Sequence, residues 1–217
     1  MARIRWTENQ VVSLALKENV FVLAQLLKSP YLVFFHAFAK VDEWTPDAAQ
    51  KADSLFFCAV TKQFVKFSPI KRISNVKPRV FEKTPKHWIR SFPGSRKKTV
   101  WPGTPRERQF VMLGSKPGGC LIENDIYASG MSPERVIVPS IPLDDDATID
   151  PHEMTSIWTY PLLNERLHIC RQLDRCVDPV KDLTFDRPPR KEYAMAIEML
   201  ASRGKPEDWG YSSEPST

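Results

Sequence analysis

Histidine and cysteine are the side chains best suited to bind metal or attack a substrate, and their spacing here supports neither role. His36, His87, His152 and His168 form no HxH or HExxH pattern, and Cys58, Cys120, Cys170 and Cys176 include no CxxC pair. His36 sits between Phe34 and Phe38, the setting of a hydrogen-bonded core histidine, and His152 and His168 fall on separate expected helices. Cys58 and Cys120 lie in apolar strand-like runs, where thiols are inert, and Cys170 and Cys176 lie on an expected helix. The chain has no GxSxG elbow, Walker loop or GxGxxG fingerprint. Pro117-Gly118-Gly119 reads as a turn and Asp144-Asp145-Asp146 as a solvated loop. Glu153 and Glu165 could pair as acid and base, but capping and helix-surface roles account for both. The expectation is a protein that is not an enzyme, with no catalytic residue, metal or cofactor.

The basic middle of the chain has a stronger functional reading. Lys62 to Arg108 holds fourteen Lys/Arg and two Asp/Glu, a net of +12, and the remainder has 17 basic against 24 acidic residues. Phe64, Phe67, Phe81, Trp88, Phe92 and Trp101 interleave with these cations. Cations on phosphates plus bases stacked on aromatics is how single strands are held, so a nucleic-acid-binding module over 62–108 is one reading. A basic patch also speeds encounter with an acidic protein. The plainer alternative is that the aromatics belong to the core and the charges to its solvated face. The candidate partner-binding face is Lys86, Trp88, Arg90, Arg96, Lys97, Lys98, Arg106 and Arg108. Arg96, Lys97 and Lys98 fall at a loop tip expected to be mobile, where charge reversal would leave folding intact.

The elements that would position these residues begin with three apolar runs, Val11–Leu16, Val20–Leu27 and Tyr31–Ala39. Their β-branched and aromatic content and the short polar gaps between them predict antiparallel strands covered on both faces. Thr45-Pro46-Asp47 marks a short helix, and Leu55–Val60 and Gln63–Phe67 again read as strands. Gln109–Leu113 and Cys120–Ile126 predict a hairpin with a long loop, and Val136–Val138 a last strand. Asp150 with Pro151 and Glu153 marks a helix start. Pro161 starts a second helix with Leu163, Leu167, Cys170 and Leu173 on one face. Pro188-Pro189 begins a final helix, and the tail from Lys205 reads as frayed. The fold expected is α+β: a strongly curved antiparallel sheet or small barrel over 10–126, with helices near 151–175 and 189–203 packed on it. The organisation expected is a single domain of 217 residues, with a β-rich core over 6–140 and a helical appendage over 150–204.

The 8 glycines and 19 prolines, where average usage gives roughly 15 and 11, indicate extended connections more than flexible linkers. No run approaches a membrane span, and the first ten residues lack the apolar segment of a secretory signal, so a cytoplasmic protein with reduced thiols and no membrane partner is expected. Nothing in the sequence fixes an oligomeric state.

QVVSLALKENVFVLAQLLKSPYLVFFHAF, from Gln10 to Phe38, resembles the opening of the bacterial polymorphic-toxin immunity-protein family numbered twenty-six (immunity protein 26). The matching positions are Val11–Leu16, Phe21-Val22-Leu23-Ala24-Gln25 and Leu32–Phe38. LFFCAVTKQFVKFSPIKRI, from Leu55 to Ile73, resembles the family's next strand, basic step and returning segment. Glu18-Asn19 and Ala24 stand where the family has glycines, and its tryptophan before the returning strand has no counterpart near Ser68-Pro69. The resemblance implies a small cytoplasmic antitoxin-like protein that binds and neutralises a cognate protein toxin without catalysis.

Overall fold

The three opening runs pair as expected. In a computed structural model of the chain, residues 5–81, 84–125 and 134–215 are described. The strands among them are β1 (Val11–Ala15), β2 (Phe21–Leu26), β3 (Tyr31–Ala39), β4 (Ser54–Val60), β5 (Ile70–Arg72), β6 (His87–Ser91), β7 (Ser95–Val100), β8 (Arg108–Leu113), β9 (Gly119–Glu123), β10 (Arg135–Val138) and β11 (Ile157–Trp158). The helices are α1 (Ala48–Lys51), α2 (Lys62–Phe67), α3 (Asp146–Ile149), α4 (Leu162–Leu173), α5 (Pro179–Thr184) and α6 (Ala194–Ala201). They form two compact units that interleave along the chain.

The first unit takes Met1–Thr84, Ile157–Val177 and Lys205–Thr217. Its sheet runs β11-β4-β3-β2-β1-β5, antiparallel except where β11 joins β4. Register shifts at Val22/Ala24 and Phe34/Phe35 bend the strands, and the sheet curls into a half-barrel. Both faces of β1 and β2 are buried, as their continuous apolar sequence requires. Gln25, within β2, is fully buried; its amide donates to the Arg79 carbonyl at 3.0 Å and accepts from the Arg79 N–H at 2.8 Å. Of the α4 face predicted from Leu163, Leu167, Cys170 and Leu173, the first three are buried and Leu173 is half-buried.

Several expectations in this unit are corrected. Gln63–Phe67 is helical, because Thr61 caps it by accepting from the Phe64 N–H at 3.2 Å and Phe64 turns into the core. His36 is exposed, with Nε2 3.1 Å from Asp174 Oδ1. The expected helix from 151 shortens to α4, with β11 before it. The tail is tied down: Trp209 and Tyr211 are buried, and the Tyr211 hydroxyl donates to Glu165 at 2.6 Å.

The second unit takes Pro85–Ser156 and Asp178–Gly204. A three-stranded sheet, β10-β9-β6, packs Ile89 and Leu121 against Ile141, Ile149, Met154 and Phe185. Burying each such side chain stabilises the unit by about 1.5–3 kcal/mol. A second, two-stranded sheet pairs β7 with β8. The predicted hairpin between Gln109–Leu113 and Cys120–Ile126 does not form; β8 joins β7, and β9 lies between β6 and β10. Ile126 lies outside the described residues. The two strands have different burial needs: β8 alternates buried and exposed positions, whereas β9 is buried on both faces. Gly119 lets β9 close on β6, since a Cβ there would lie 2.5 Å from the Arg90 carbonyl oxygen.

Helix starts in this unit also differ from expectation. Asp145 caps α3, accepting from the Thr148 N–H at 3.1 Å, and Asp150 ends that helix; His152 follows outside any helix. Asp178 caps α5 by accepting from the N–H groups of Val180 and Lys181, with Pro179 in its first turn. A 3₁₀ turn at Lys191–Tyr193 leads into α6, which stops at Ser202, short of Gly204.

Candidate functional site

The β7–β8 ribbon carries most of the predicted cations, and strand alternation divides them between two faces. Arg96 and Lys98 project inward with their partners Met112 and Phe110; Lys97 projects outward opposite Val111. Arg96 is a structural clamp. One guanidinium nitrogen donates to the carbonyls of Gly114 and Lys116, the other to those of Leu183 and Thr184, at 3.2–3.4 Å. Asp186, just past α5, holds Lys98 at 2.5 Å and lies 3.6 Å from Arg96.

A charge network fixes the segment that presents Asp186. Arg187 bonds Asp150 and Asp182 at 2.7 and 3.1 Å and also Asp146. Burial opposes the charge on Arg187, but these carboxylates outweigh it and raise its pKa. The Tyr193 hydroxyl donates to Asp182 at 2.6 Å; burial and that carboxylate push the phenol well above its ordinary range.

The outward face combines Lys97 and Thr99 with Gln109, Val111 and Leu113. Val111 and Leu113 are 67% and 72% exposed. The Lys97 amine has no hydrogen-bonding or ionic partner among the described residues. This is a small apolar surface with a free cation, held on a ribbon whose other face is fully engaged.

At the far end of the ribbon the chain turns sharply. Trp101 adopts φ +51, a left-handed conformation that costs a bulky residue about 1–3 kcal/mol. Local bonds hold it there: its carbonyl accepts from the Thr104 hydroxyl at 2.8 Å, and the Glu107 carboxylate accepts from the Gly103 N–H at 2.6 Å. Trp101, Arg106 and Arg108 line a groove of about 540 Å³ with Lys191, Glu192 and Glu198. Arg108 is paired with Glu198 at 2.5 Å. Lys191 lies 4.0 Å from Glu192, and the Arg106 guanidinium is unpaired among the described residues.

The eight candidate residues therefore do not form one surface. Lys86 pairs with Asp125 at 3.1 Å and Arg90 with Glu134. Trp88 is buried, its indole donating to the Asn124 carbonyl at 3.2 Å. Arg106 and Arg108 meet at the groove, Arg96 and Lys98 meet at Asp186, and Lys97 stands on the opposite face of β7. Of the interleaved aromatics, Phe64 is core, Phe67 stacks on Tyr160, Phe81 packs with Phe35 and Phe57, and Phe92 lies under the Lys116 amine. Trp101 alone among them lines the groove.

Sequence reasoning missed a run of buried polar side chains on α4: Asn164, Glu165, Arg166 and His168. Glu165 is salt-bridged to Lys17 at 2.8 Å, and Arg166 lies between the rings of Phe56 and Trp158. It also missed Asp186, Lys191 and Glu198, which come to the cations from beyond the basic segment; an acidic residue after Asp-Pro-capped α5 was the available signal for Asp186. Among the described residues no three His, Cys, Asp or Glu side chains are grouped to hold a metal ion, and no helix is long and apolar enough to cross a membrane.

A family model matches residues 1–187, taking in the whole β7–β8 ribbon and its Asp186 anchor. The chain belongs to DUF8309, a domain family of unknown function. The DUF8309 match includes Trp101, Arg106 and Arg108, while Lys191, Glu192 and Glu198 lie outside the matched residues. Its description carries no activity and names no immunity family. No curated protein matches the chain, and no solved structure does.

Proposed function

We propose that this chain is a non-catalytic binding protein of the antitoxin or immunity kind, which captures a cognate protein toxin through the outward face of β7–β8. The observation that carries the reading is the exposed pair Val111 and Leu113 beside the unpaired Lys97, on a ribbon clamped from behind by Arg96 and Asp186. A rigid apolar centre desolvates well, and a neighbouring cation favours a partner with an acidic face. The ribbon would form the middle of a larger contact, since standard interfaces cover about 800 Å² on each partner. The resemblance of Gln10–Phe38 to an immunity family supports the same reading.

The test is rescue. The product of the neighbouring reading frame is expressed in a susceptible host with this chain or with its V111D/L113D variant. Protection by the parent, lost in a variant that melts at the same temperature, is the expected result. Equal protection by the variant would remove the ribbon as the interface. A neighbour that is not toxic, or toxicity unrelieved by the parent, would remove the function itself.

A further inference from the structure

We infer that the groove beside Trp101 is a binding site for a nucleoside phosphate, separate from the ribbon face and independent of the toxin-binding reading. Its volume, about 540 Å³, lies within the range of small-ligand sites. Its lining combines the three kinds of contact such a ligand needs. Trp101 supplies an aromatic platform for a base, in a loop that its own hydrogen bonds hold rigid. Arg106, unpaired among the described residues, and Lys191, only distantly paired, are cations with capacity for phosphate oxygens. Glu192 and Glu198 offer acceptors for ribose hydroxyls or an exocyclic amine. Glu198 is already neutralised by Arg108, so it repels an incoming phosphate less than a free carboxylate would.

The left-handed Trp101 gives a second reason to read this place as built for a ligand. A tryptophan is held where glycine would relieve strain, so that its side chain lines the groove. An acidic protein side chain would use Arg106 and Lys191 but leave the indole and both carboxylates without a role. A nucleoside phosphate engages all of them.

Titration calorimetry on the full chain tests this with ADP, adenosine, inorganic phosphate and an unphosphorylated oligothymidine. ADP is expected to bind with a Kd of roughly 10–100 µM, the range of an open site, and adenosine and phosphate at least about tenfold more weakly. R106Q, at an exposed position, should weaken ADP about tenfold or more with an unchanged melting temperature, and W101L, at a half-buried one, should weaken ADP as much while still unfolding cooperatively. V111D/L113D should bind ADP like the parent, which separates this site from the ribbon. No heat with ADP up to about 1 mM, or undiminished binding in both groove variants, would overturn the proposal. Oligothymidine binding far tighter than ADP, lost in W101L, would overturn it in favour of an extended strand site.

Discussion

Arg166 shows what the sequence concealed at the scale of single residues. It lies in a helix among Asn164, Glu165 and His168, a pattern that reads as a solvated face, yet it is fully buried. Its guanidinium is 3.7 Å from the Phe56 ring centroid and 4.9 Å from that of Trp158, and its Nε donates to the Val177 carbonyl at 2.8 Å. Cation–π contact with two rings at once, beside a fixed Nε donor, is a task the compact lysine ammonium performs poorly. R166K should therefore cost about 2–4 kcal/mol in urea denaturation, and an unchanged midpoint would show that the stacking contributes nothing. Glu165 was hidden for a related reason, because its partners Lys17 and Tyr211 are 148 and 46 residues away in sequence. The thiols make a simpler case. Cys58, Cys120 and Cys170 are buried and Cys176 is exposed, all free. Ellman's reagent should titrate one thiol rapidly in the native protein and four in denaturant. Four fast thiols in the native protein would mean that β4, β9 and α4 all open readily.

At the scale of elements, those with an internal periodic signal were legible and those defined by distant partners were not. Strands β1 to β4 carry continuous apolar runs, and α4 its stripe of Leu163, Leu167 and Cys170. β7, by contrast, is Ser-Arg-Lys-Lys-Thr-Val, which has no apolar alternation. It is a strand because Arg96 and Lys98 find acceptors on and after α5. The short α5 is signalled by Asp178-Pro179, a cap followed by a first-turn proline, but its six residues are too few to show an apolar stripe. β5 offers a test of how such short elements are fastened. Asp42 accepts from the Lys71 amine on β5 and from the Trp44 indole, both at 2.9 Å. Burial would raise the Asp42 pKa, but hydrogen bonding by Lys71 and Trp44 and the Lys71 charge outweigh it and hold the carboxyl below the usual carboxylate range. A depressed folded-state pKa contributes stability that is present above the unfolded value, about 3.9, and is lost as pH falls through the folded value. D42N should therefore cost about 0.5–1 kcal/mol at pH 7, allowing for solvent screening, and the gap to the parent should narrow as pH drops below about 4. A gap that stays constant down to pH 2 would show that the carboxylate charge is irrelevant to this fastening.

At the scale of the whole molecule, the charge asymmetry is real but much of it is already spent internally. The basic segment from Lys62 to Arg108 has a net charge of +12, yet Lys86, Arg90, Arg96, Lys98 and Arg108 are engaged by carboxylates at Asp125, Glu134, Asp186 and Glu198. Composition can count charges but cannot assign them to faces, and the turn residues Pro93-Gly94-Ser95 with weak periodicity read as a mobile tip running to Lys98. Reversal of Arg96, Lys97 and Lys98 together is therefore not the harmless change that a loop tip would allow. R96E replaces a donor to four carbonyls with a carboxylate beside Asp186, and should cost about 3 kcal/mol or more. K97E removes an exposed cation unpaired among the described residues and should stay within about 0.5 kcal/mol of the parent. The two variants thus separate folding from binding, which the triple reversal would confound. Because the paired cations must break internal bonds before they reach a phosphate, generic single strands should bind weakly at physiological salt. K97E should lower the slope of log K against log salt by no more than about one, the share of a single phosphate contact. Submicromolar strand binding in about 0.15 M salt, with a slope unaffected by K97E but abolished in variants of the paired cations that still fold, would mean that those ion pairs open to nucleic acid. It would place nucleic-acid binding ahead of toxin capture.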